Sequence, residues 1–335
     1  MHHWARRLPF VSRRSVFVAP MMLVALVTVA CSPGTSAADP SAAATSGSSP
    51  GTTVTVDGRQ IYLTCSGTSP PGSPTVILVS GYHDSSDVWV QDDLLQLTRP
   101  AVGPAVLPAI SANLRVCAYD RPGTLRYVDG LPLTDRSTPV AQPRTTAEMA
   151  VELHDLLDAA QVPEPYLLVG HSLGGLVVDQ YSRTYPTQVS GVVFVDAFSP
   201  TVPAVFGSLW PLYRDTLLNK PPEQEQIPSM RRPDSERVDL DASVAELLRS
   251  PEFPAVPVVV LTSPRPFPAL DATAMPPGLT PTELETRYRA AQDDLVARTP
   301  NSPQVFVYGS DHYIQRSAPD AVVNAVLLVA HRQQG

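Results

Sequence analysis

A serine placed between two glycines is the first feature of this sequence that could do chemistry. Residues 166–178 read YLLVGHSLGGLVV, with Ser172 two positions after Gly170 and two positions before Gly174. The segment begins as a short apolar run typical of a strand buried on both faces, and it continues with apolar residues at helical spacing. A serine at such a strand–turn–helix junction is held in a strained backbone conformation and exposes its hydroxyl at the positive end of the helix dipole. The pattern therefore predicts a nucleophile.

A serine hydroxyl is a poor nucleophile at neutral pH, so a base must take its proton. The pKa of histidine suits that task. His312 directly follows the last predicted strand, residues 304–308, and a helix that begins near Pro319 comes after it. We expect His312 to be the base; a purely structural histidine is the alternative.

Two aspartates are candidates for the acid that would orient the base. The predicted strand at 257–262 runs into a proline-rich loop without a carboxylate, and the nearest aspartate beyond it is Asp271. Asp196 directly follows the predicted strand at 191–195, where a carboxylate is also common as a structural residue. We favour Asp196 and keep Asp271 as the alternative.

Strands that alternate with helices surround these residues. Apolar runs predict further strands at 53–56, 60–65 and 75–79, and a strand with its turn at 114–123. Asp-Gly between the first two runs is typical of a hairpin. A long proline-rich loop is expected from residue 124 to a capping box at 145–148, which begins the next helix. That helix precedes the strand that leads to Ser172; the turn around Ser172 is called the elbow below. A stretch at about 200–255 departs from the alternation; within it, residues 245–248 predict a short helix.

These motifs resemble the esterase–lipase type of the α/β-hydrolase superfamily, from about residue 54 to the C-terminus. The serine turn of that group usually reads G-H-S-x-G-G, as it does here. The resemblance implies an α/β fold: a mostly parallel eight-stranded sheet, helices on both faces and an inserted lid at about 200–255. It also implies cleavage of carboxylic esters through an acyl-serine intermediate. Thioesterase, amidase or C–C bond hydrolase chemistry on the same triad is the alternative, followed by a non-catalytic binding protein.

The resemblance assigns roles outside the triad as well. By alignment with the family's oxyanion loop, the backbone N–H groups of Tyr82 and Leu173 would bind the oxyanion. His83 in that loop is expected to be a polar surface group or a pocket wall. Four apolar lid residues would line the entrance and favour an apolar acyl or alcohol group: Val205, Phe206, Leu209 and Trp210. The alternative is that these side chains only pack the lid onto the main domain.

The first 31 residues resemble an export signal. Arginines at positions 6, 7, 13 and 14 precede an apolar run at 16–30, which is shorter than the about 20 residues of a membrane span. The segment resembles a twin-arginine signal with a lipobox whose Cys31 would be lipidated; a plain secretory signal cleaved near Ala37 is the alternative. Residues 32–53 are rich in small and polar residues and would form a flexible linker. Both interpretations predict an exported protein, either a cell-envelope lipoprotein or a secreted one.

Composition limits the classes of partner and cofactor that the protein is expected to bind. Hydrophobic residues make up 43% of the 335 residues and charged residues 17%, as in an ordinary globular protein. The net charge of −8 and the scattered arginines disfavour nucleic acid as a partner. No metal or nucleotide motif is present in the sequence, so we expect no cofactor and a small-molecule ester or acyl substrate. Membrane contact would come from a lipid on Cys31, and the sequence does not predict the oligomeric state.

If Cys31 is lipidated, an even number of cysteines remains. Cys65 ends the second predicted strand and Cys117 lies in the strand after the oxyanion loop. The sheet order that the resemblance implies, 1-2-4-3-5-6-7-8, makes these two strands neighbours. A disulfide between the two cysteines is therefore expected in an exported protein; two buried free thiols are the alternative.

Overall fold

The computed structural model describes residues 51–90, 103–128, 131–134, 136–267, 275–299 and 302–332. The expected export signal with Cys31, most of the expected linker, and the alternative acid Asp271 lie outside the described residues. Of the helices that the structure describes, none is long and apolar enough to cross a membrane.

The described residues contain a sheet of eight strands. In chain order its members are β1 (Thr52–Val56), β2 (Arg59–Ser66), β3 (Thr75–Val79), β4 (Val116–Tyr119), β7 (Tyr166–His171), β8 (Val189–Val195), β9 (Val258–Thr262) and β10 (Gln304–Phe306). Their spatial order is β1-β2-β4-β3-β7-β8-β9-β10. Pairing is antiparallel for β1 with β2 and for β2 with β4, and parallel elsewhere. This is the order that the resemblance predicts, and the predicted fold class is confirmed.

A separate hairpin stands where the sequence analysis expects only a long loop. It consists of β5 (Leu125–Val128) and β6 (Leu131–Thr134), which pair antiparallel. Each strand has four residues, too few for alternation to stand out from a loop in the sequence.

Helices cover both faces of the sheet because its strands alternate their side chains between two cores. In β3, Ile77 and Val79 belong to one hydrophobic cluster, whereas Val76 and Leu78 belong to the other. The helices are α1 (Val106–Ser111), α2 (Thr146–Ala159), α3 (Leu173–Thr184), α4 (Val202–Phe206), α5 (Trp210–Tyr213), α6 (Leu240–Arg249), α7 (Pro281–Arg298), α8 (Ile314–Ser317) and α9 (Pro319–His331). Residues of α2, α3 and α7 enter the first cluster, and residues of α1 and α9 enter the second.

The segment between β8 and β9, residues 200–255, is called the insertion below. It holds α4, α5 and α6, joined by 3₁₀ turns at Gly207–Leu209, Pro222–Gln224 and Pro228–Arg231 and by a π-helical turn at Arg214–Leu218. The short helix predicted at 245–248 is longer, because the Asp239 side chain accepts from the Ala242 N–H and begins α6 five residues earlier. The insertion coincides with the expected lid, and its action as a lid stays a prediction.

The expected disulfide is present between β2 and β4. Cys65 and Cys117 are register partners in this antiparallel pair, and their Cα atoms lie 4.1 Å apart. The predicted adjacency of the two strands thus places the two thiols side by side.

Candidate active site

Ser172 occupies a sharp turn between β7 and α3. Its φ of 49° and ψ of −122° lie in a region that side chains other than glycine rarely adopt. The glycines on either side are required by close backbone contacts. A Cβ at position 174 would lie 2.3 Å from the Val79 carbonyl oxygen, and one at position 170 would lie 2.6 Å from the Gly174 carbonyl oxygen. The G-x-S-x-G spacing is therefore a packing requirement as well as a chemical one.

His312 and Asp196 form a hydrogen-bonded pair. The Nδ1 atom of His312 lies 2.7 Å from Oδ2 of Asp196, and the Asp196 carboxylate is fully buried at the end of β8. Its Oδ1 atom accepts a hydrogen bond of 3.0 Å from the Ser263 N–H. Burial raises the pKa of Asp196, while the hydrogen bond with His312 acts in the opposite direction. Of the two candidate acids, Asp196 is the one that the structure brings to His312, whereas Asp271 lies outside the described residues.

Ser172, Asp196 and His312 all follow the carboxyl ends of sheet strands, where ligands bind in open α/β sheets. His171, the neighbour of Ser172, links the elbow to the histidine turn. Its Nε2–H donates to the His312 carbonyl oxygen over 3.0 Å, and the two imidazole rings lie 4.8 Å apart. Burial and the nearby His312 lower the pKa of His171 well below its usual value, so His171 stays neutral and acts as a fixed donor.

Tyr288 is a site residue that the sequence analysis missed. It projects from α7, is buried, and donates from its hydroxyl to the Asp196 carbonyl oxygen over 2.7 Å. Its ring meets the His312 ring edge-on, with centroids 5.7 Å apart. Burial raises the pKa of Tyr288 far above its usual value, and a hydrogen bond with the Ser172 hydroxyl acts in the opposite direction. A neutral phenol therefore lies against Ser172, Asp196 and His312.

The two expected oxyanion donors lie on neighbouring segments. Leu173 is the first residue of α3, so its N–H has no acceptor within the helix. Tyr82 lies in the loop after β3, which packs closely on the elbow. A Cβ at Gly81 would lie 2.8 Å from Nδ1 of His171, and one at Gly174 would lie 2.7 Å from the Ser80 carbonyl oxygen. The structure thus brings both backbone segments to the serine turn.

His83 is buried, so the expectation of a surface group is wrong. His83 has a φ of 63°, and its ring stacks on that of Tyr82 with centroids 3.9 Å apart. The backbone N–H of His83 donates to the Glu236 carboxylate of the insertion. Burial lowers the pKa of His83 to about 3, so the ring stays neutral. The insertion covers this loop, which is a long-range contact that local sequence does not show.

The four apolar residues assigned to the entrance pack against the core. Phe206 and Trp210 are buried, and Val205 and Leu209 are half-buried against the same cluster. Phe206 stacks on Tyr213 with ring centroids 4.4 Å apart, and the Trp210 indole N–H donates to Asp241 over 2.6 Å. These two contacts lie within the insertion, whereas the burial of the four side chains in the core cluster packs the insertion onto the main domain. A part of these residues in substrate binding stays a prediction.

Comparison with known proteins adds a family. The profile described as "Alpha/beta hydrolase family" matches residues 76–325. The chain is 30% identical over 159 residues to "Uncharacterized protein C23C11.06c" of Schizosaccharomyces pombe, covering 44% of this chain and 28% of that protein. It is 32% identical over 133 residues to "Putative carbamate hydrolase RutD" of Escherichia coli O103:H2, covering 39% of this chain and 41% of that protein. The matches thus span less than half the length of these curated relatives.

Solved structures agree on the fold. A "probable hydrolytic enzyme" of Pseudomonas aeruginosa PAO1 superposes with a TM-score of 0.54 at 17% identity, over 83% of this chain and 93% of that chain. An alpha/beta hydrolase fold protein of Burkholderia ambifaria superposes with a TM-score of 0.51 at 18% identity, over 82% and 96%. At such low identity the likeness shows the fold alone.

Proposed function

The chain belongs to the alpha/beta hydrolase family, and on that premise we propose that it cleaves carboxylic esters of small molecules through an acyl-serine intermediate. The observation that carries the proposal is the 2.7 Å bond between Nδ1 of His312 and the buried Asp196 carboxylate. Ser172 is held in a strained turn directly after His171, whose ring lies 4.8 Å from that of His312. A base with a fixed tautomer near a serine hydroxyl is what acyl transfer requires.

Acylation begins when Oγ of Ser172 attacks the ester carbonyl carbon and His312 takes the hydroxyl proton at Nε2. Asp196 accepts from the Nδ1–H of His312, which fixes the tautomer and stabilises the imidazolium. The carbonyl oxygen becomes an oxyanion, and the N–H groups of Tyr82 and Leu173 donate to it. When the tetrahedral intermediate collapses, the C–O bond to the alcohol breaks and His312 returns the proton to the leaving alcohol.

Deacylation repeats the steps with water. His312 takes a proton from a water molecule whose oxygen attacks the acyl carbon, and the second oxyanion is bound by the same N–H groups. Collapse releases the carboxylic acid and returns the proton to Ser172. Tyr288 supports both steps, since it holds the Asp196 main chain and contacts the resting hydroxyl.

Carbamates are the second candidate substrate class, because a curated relative is named "Putative carbamate hydrolase RutD". Thioesters, amides and C–C bonds adjacent to carbonyl groups can be cleaved on the same triad. A binding protein without catalysis is disfavoured, since it would have no use for both a strained serine and a hydrogen-bonded His312–Asp196 pair. The half-buried Val205 and Leu209 would contribute the apolar wall for an acyl or alcohol group.

Export is part of the proposal. The Cys65–Cys117 disulfide supports it, because such bonds persist in oxidising compartments. A lipid on Cys31 would then anchor the protein to the cell envelope. Expression in a bacterial host with labelled palmitate tests this: the wild type should carry label in the membrane fraction and Cys31→Ala should not. Unlabelled, released wild-type protein would instead indicate a plain cleaved signal.

The decisive experiment compares Ser172→Ala with Ser182→Ala, a buried serine further along the same helix whose hydroxyl donates to the Val178 carbonyl. The wild type and Ser182→Ala should hydrolyse p-nitrophenyl esters and react with a fluorophosphonate, whereas Ser172→Ala should do neither. Acyl chains of increasing length and matched p-nitrophenyl carbamates locate the preferred substrate. Labelling of Ser172→Ala at the wild-type rate would refute the assignment.

A further inference from the structure

Arg121 holds the two carbonyl groups that precede the oxyanion residue. Its Nη1 atom donates to the Ser80 carbonyl over 2.9 Å, and its Nη2 atom donates to the Gly81 carbonyl over 2.6 Å. The guanidinium is buried just beyond the end of β4. A planar fork with several fixed donors suits two adjacent carbonyl oxygens better than the single ammonium of lysine does.

These bonds fix the direction of the Tyr82 N–H. In a trans peptide the carbonyl and the following N–H point in opposite directions within one plane. The Gly81 carbonyl is bound to Arg121, so the Tyr82 N–H of the same peptide must face away from Arg121. Rotation of that peptide would break the bond and leave a buried guanidinium N–H unpaired, which is unfavourable.

Glu236 of the insertion completes the arrangement. Its carboxylate is buried; Oε1 accepts from Nε of Arg121 over 2.6 Å, and Oε2 accepts from the His83 N–H over 2.7 Å. One side chain of the insertion therefore holds the arginine and the residue after Tyr82. The backbone reinforces the contact, since the Glu236 N–H donates to the Gly123 carbonyl over 2.9 Å.

The Tyr82 side chain is held by the insertion as well. Its hydroxyl donates to the Asn219 side-chain oxygen and accepts from the Val238 N–H over 3.1 Å. The loop that carries the proposed oxyanion donor is thus bound by Asn219, Glu236 and Val238.

We propose that Arg121 and Glu236 are the positioning residues of the oxyanion hole: they fix the Gly81–Tyr82 peptide in its donating orientation, and through them the insertion becomes part of the catalytic machinery. This inference rests on the proposed function. Both side chains act through Tyr82 and touch neither substrate nor reacting atoms. The insertion then determines rate, in addition to any effect on access.

The test removes both charges together. Arg121→Met/Glu236→Leu replaces the buried pair with apolar residues of similar volume, which is often neutral for stability because no unpaired charge is left behind. We expect kcat to fall by about 10²–10³-fold, as when one oxyanion donor is lost. KM should stay within about twofold, because the oxyanion forms only in the transition state. Affinity for a trifluoromethyl ketone, whose adduct with Ser172 carries the oxyanion, should fall by the same factor as kcat.

Asp179→Leu/Arg183→Met is the matched control. This buried pair lies on α3, with Nε of Arg183 2.6 Å from Asp179, and Nη1 of Arg183 also donates to a main-chain carbonyl, that of Pro251, over 2.8 Å. It makes the same kinds of contact but does not touch the oxyanion loop. Its kcat and ketone affinity should equal those of the wild type, even where its melting temperature changes. Arg121→Lys, which keeps the charge but not the fork, should lie between the wild type and the double variant.

Fluorophosphonate titration counts active sites and separates the outcomes. The inference is supported if kcat per titrated site falls while KM is kept. It is overturned if kcat per titrated site is unchanged in the double variant or, should that variant not fold, in Arg121→Lys. A wild type that neither hydrolyses esters nor reacts with fluorophosphonate overturns the proposed function and this inference together, whereas an active wild type with an unaffected variant overturns this inference alone.

Discussion

Ser172 in the elbow and Gly207 in the insertion share one backbone conformation. Ser172 has a φ of 49° and a ψ of −122°, and Gly207 has a φ of 55° and a ψ of −123°. Glycine adopts such angles readily, whereas for a residue with a Cβ they cost about 1–3 kcal/mol. The insertion thus uses the residue that relieves the strain, and the elbow keeps a serine that does not.

The two residues also differ in how closely their surroundings hold them. The Ser172 N–H donates to the Val195 carbonyl over 3.2 Å, and the Ser172 carbonyl accepts from Phe198 over 2.8 Å. At Gly207, no atom of the described residues beyond the adjoining backbone lies within 4 Å of where a Cβ would be. At Ser172 the unfavourable conformation persists where hydrogen bonds to neighbouring segments fix the backbone, whereas at Gly207 a glycine adopts it without strain.

The largest effect that this comparison predicts is that of Ser172→Gly. Removing the nucleophile should lower hydrolysis by about 10⁴-fold or more. The unfolding free energy should nevertheless rise by about 1 kcal/mol relative to Ser172→Ala, because relief of strain exceeds the greater chain entropy of glycine. Urea unfolding of the two variants measures the difference. If Ser172→Gly is the less stable of the two, the serine turn is not strained.

A second large effect is expected at Gly174. A Cβ there would meet the carbonyl oxygens of Val79 and Ser80 at 2.3 Å and 2.7 Å, and both belong to backbone that the sheet and Arg121 hold. Gly174→Ala should therefore destabilise the protein by about 4 kcal/mol, at the extreme end for a single methyl group. Thermal unfolding and esterase activity of the soluble fraction measure this. A soluble variant with wild-type activity would show that the loop and the elbow can separate.

The contrast between the elbow and the insertion also explains which features of the structure the sequence can predict. Strands buried on both faces give continuous apolar runs, and the G-x-S-x-G spacing stands between an apolar run and a helical pattern in the sequence, so the strands and Ser172 can be predicted from local sequence. The sheet order then follows from the family resemblance, and with it the neighbouring positions of Cys65 and Cys117.

Contacts that depend on the insertion and on α7 cannot be predicted from local sequence. Tyr288 has the pattern of an ordinary core residue on a helix, and its bond to Asp196 exists only once α7 has docked. Glu236 lies in a charged, proline-broken stretch that looks like solvated surface, yet it is buried against Arg121. The choice between Asp196 and Asp271 depends on which loop reaches His312, which also requires the folded chain.

A moderate effect is expected at Trp210, which tests whether the insertion only packs or also meets substrate. Trp210→Ala removes a buried indole and its bond to Asp241, so it should destabilise the protein by about 3 kcal/mol. If Trp210 also borders the acyl site, the preference for longer p-nitrophenyl esters should weaken in the variant. Trp210→Phe, which keeps an aromatic ring, is the control for packing. A chain-length profile that is flat in both the wild type and the alanine variant would count against a role in substrate binding.

The smallest effect is expected at Gly207. Gly207→Ala places a Cβ in open space but in the same unfavourable backbone conformation, so it should destabilise the protein by about 1–2 kcal/mol through conformation alone. Activity per titrated site should be unchanged, since Gly207 touches none of the triad residues. Because Ser172→Gly removes a Cβ and Gly207→Ala adds one at matching backbone angles, their effects on unfolding free energy should be opposite in sign and similar in size. Combining Ser172→Gly with Gly207→Ala should return the stability close to that of the parent.

A Gly207→Ala protein as stable as the wild type would mean that the exposed insertion relaxes at this turn, and the strain at Ser172 would then depend on its neighbouring strands rather than on the angles themselves.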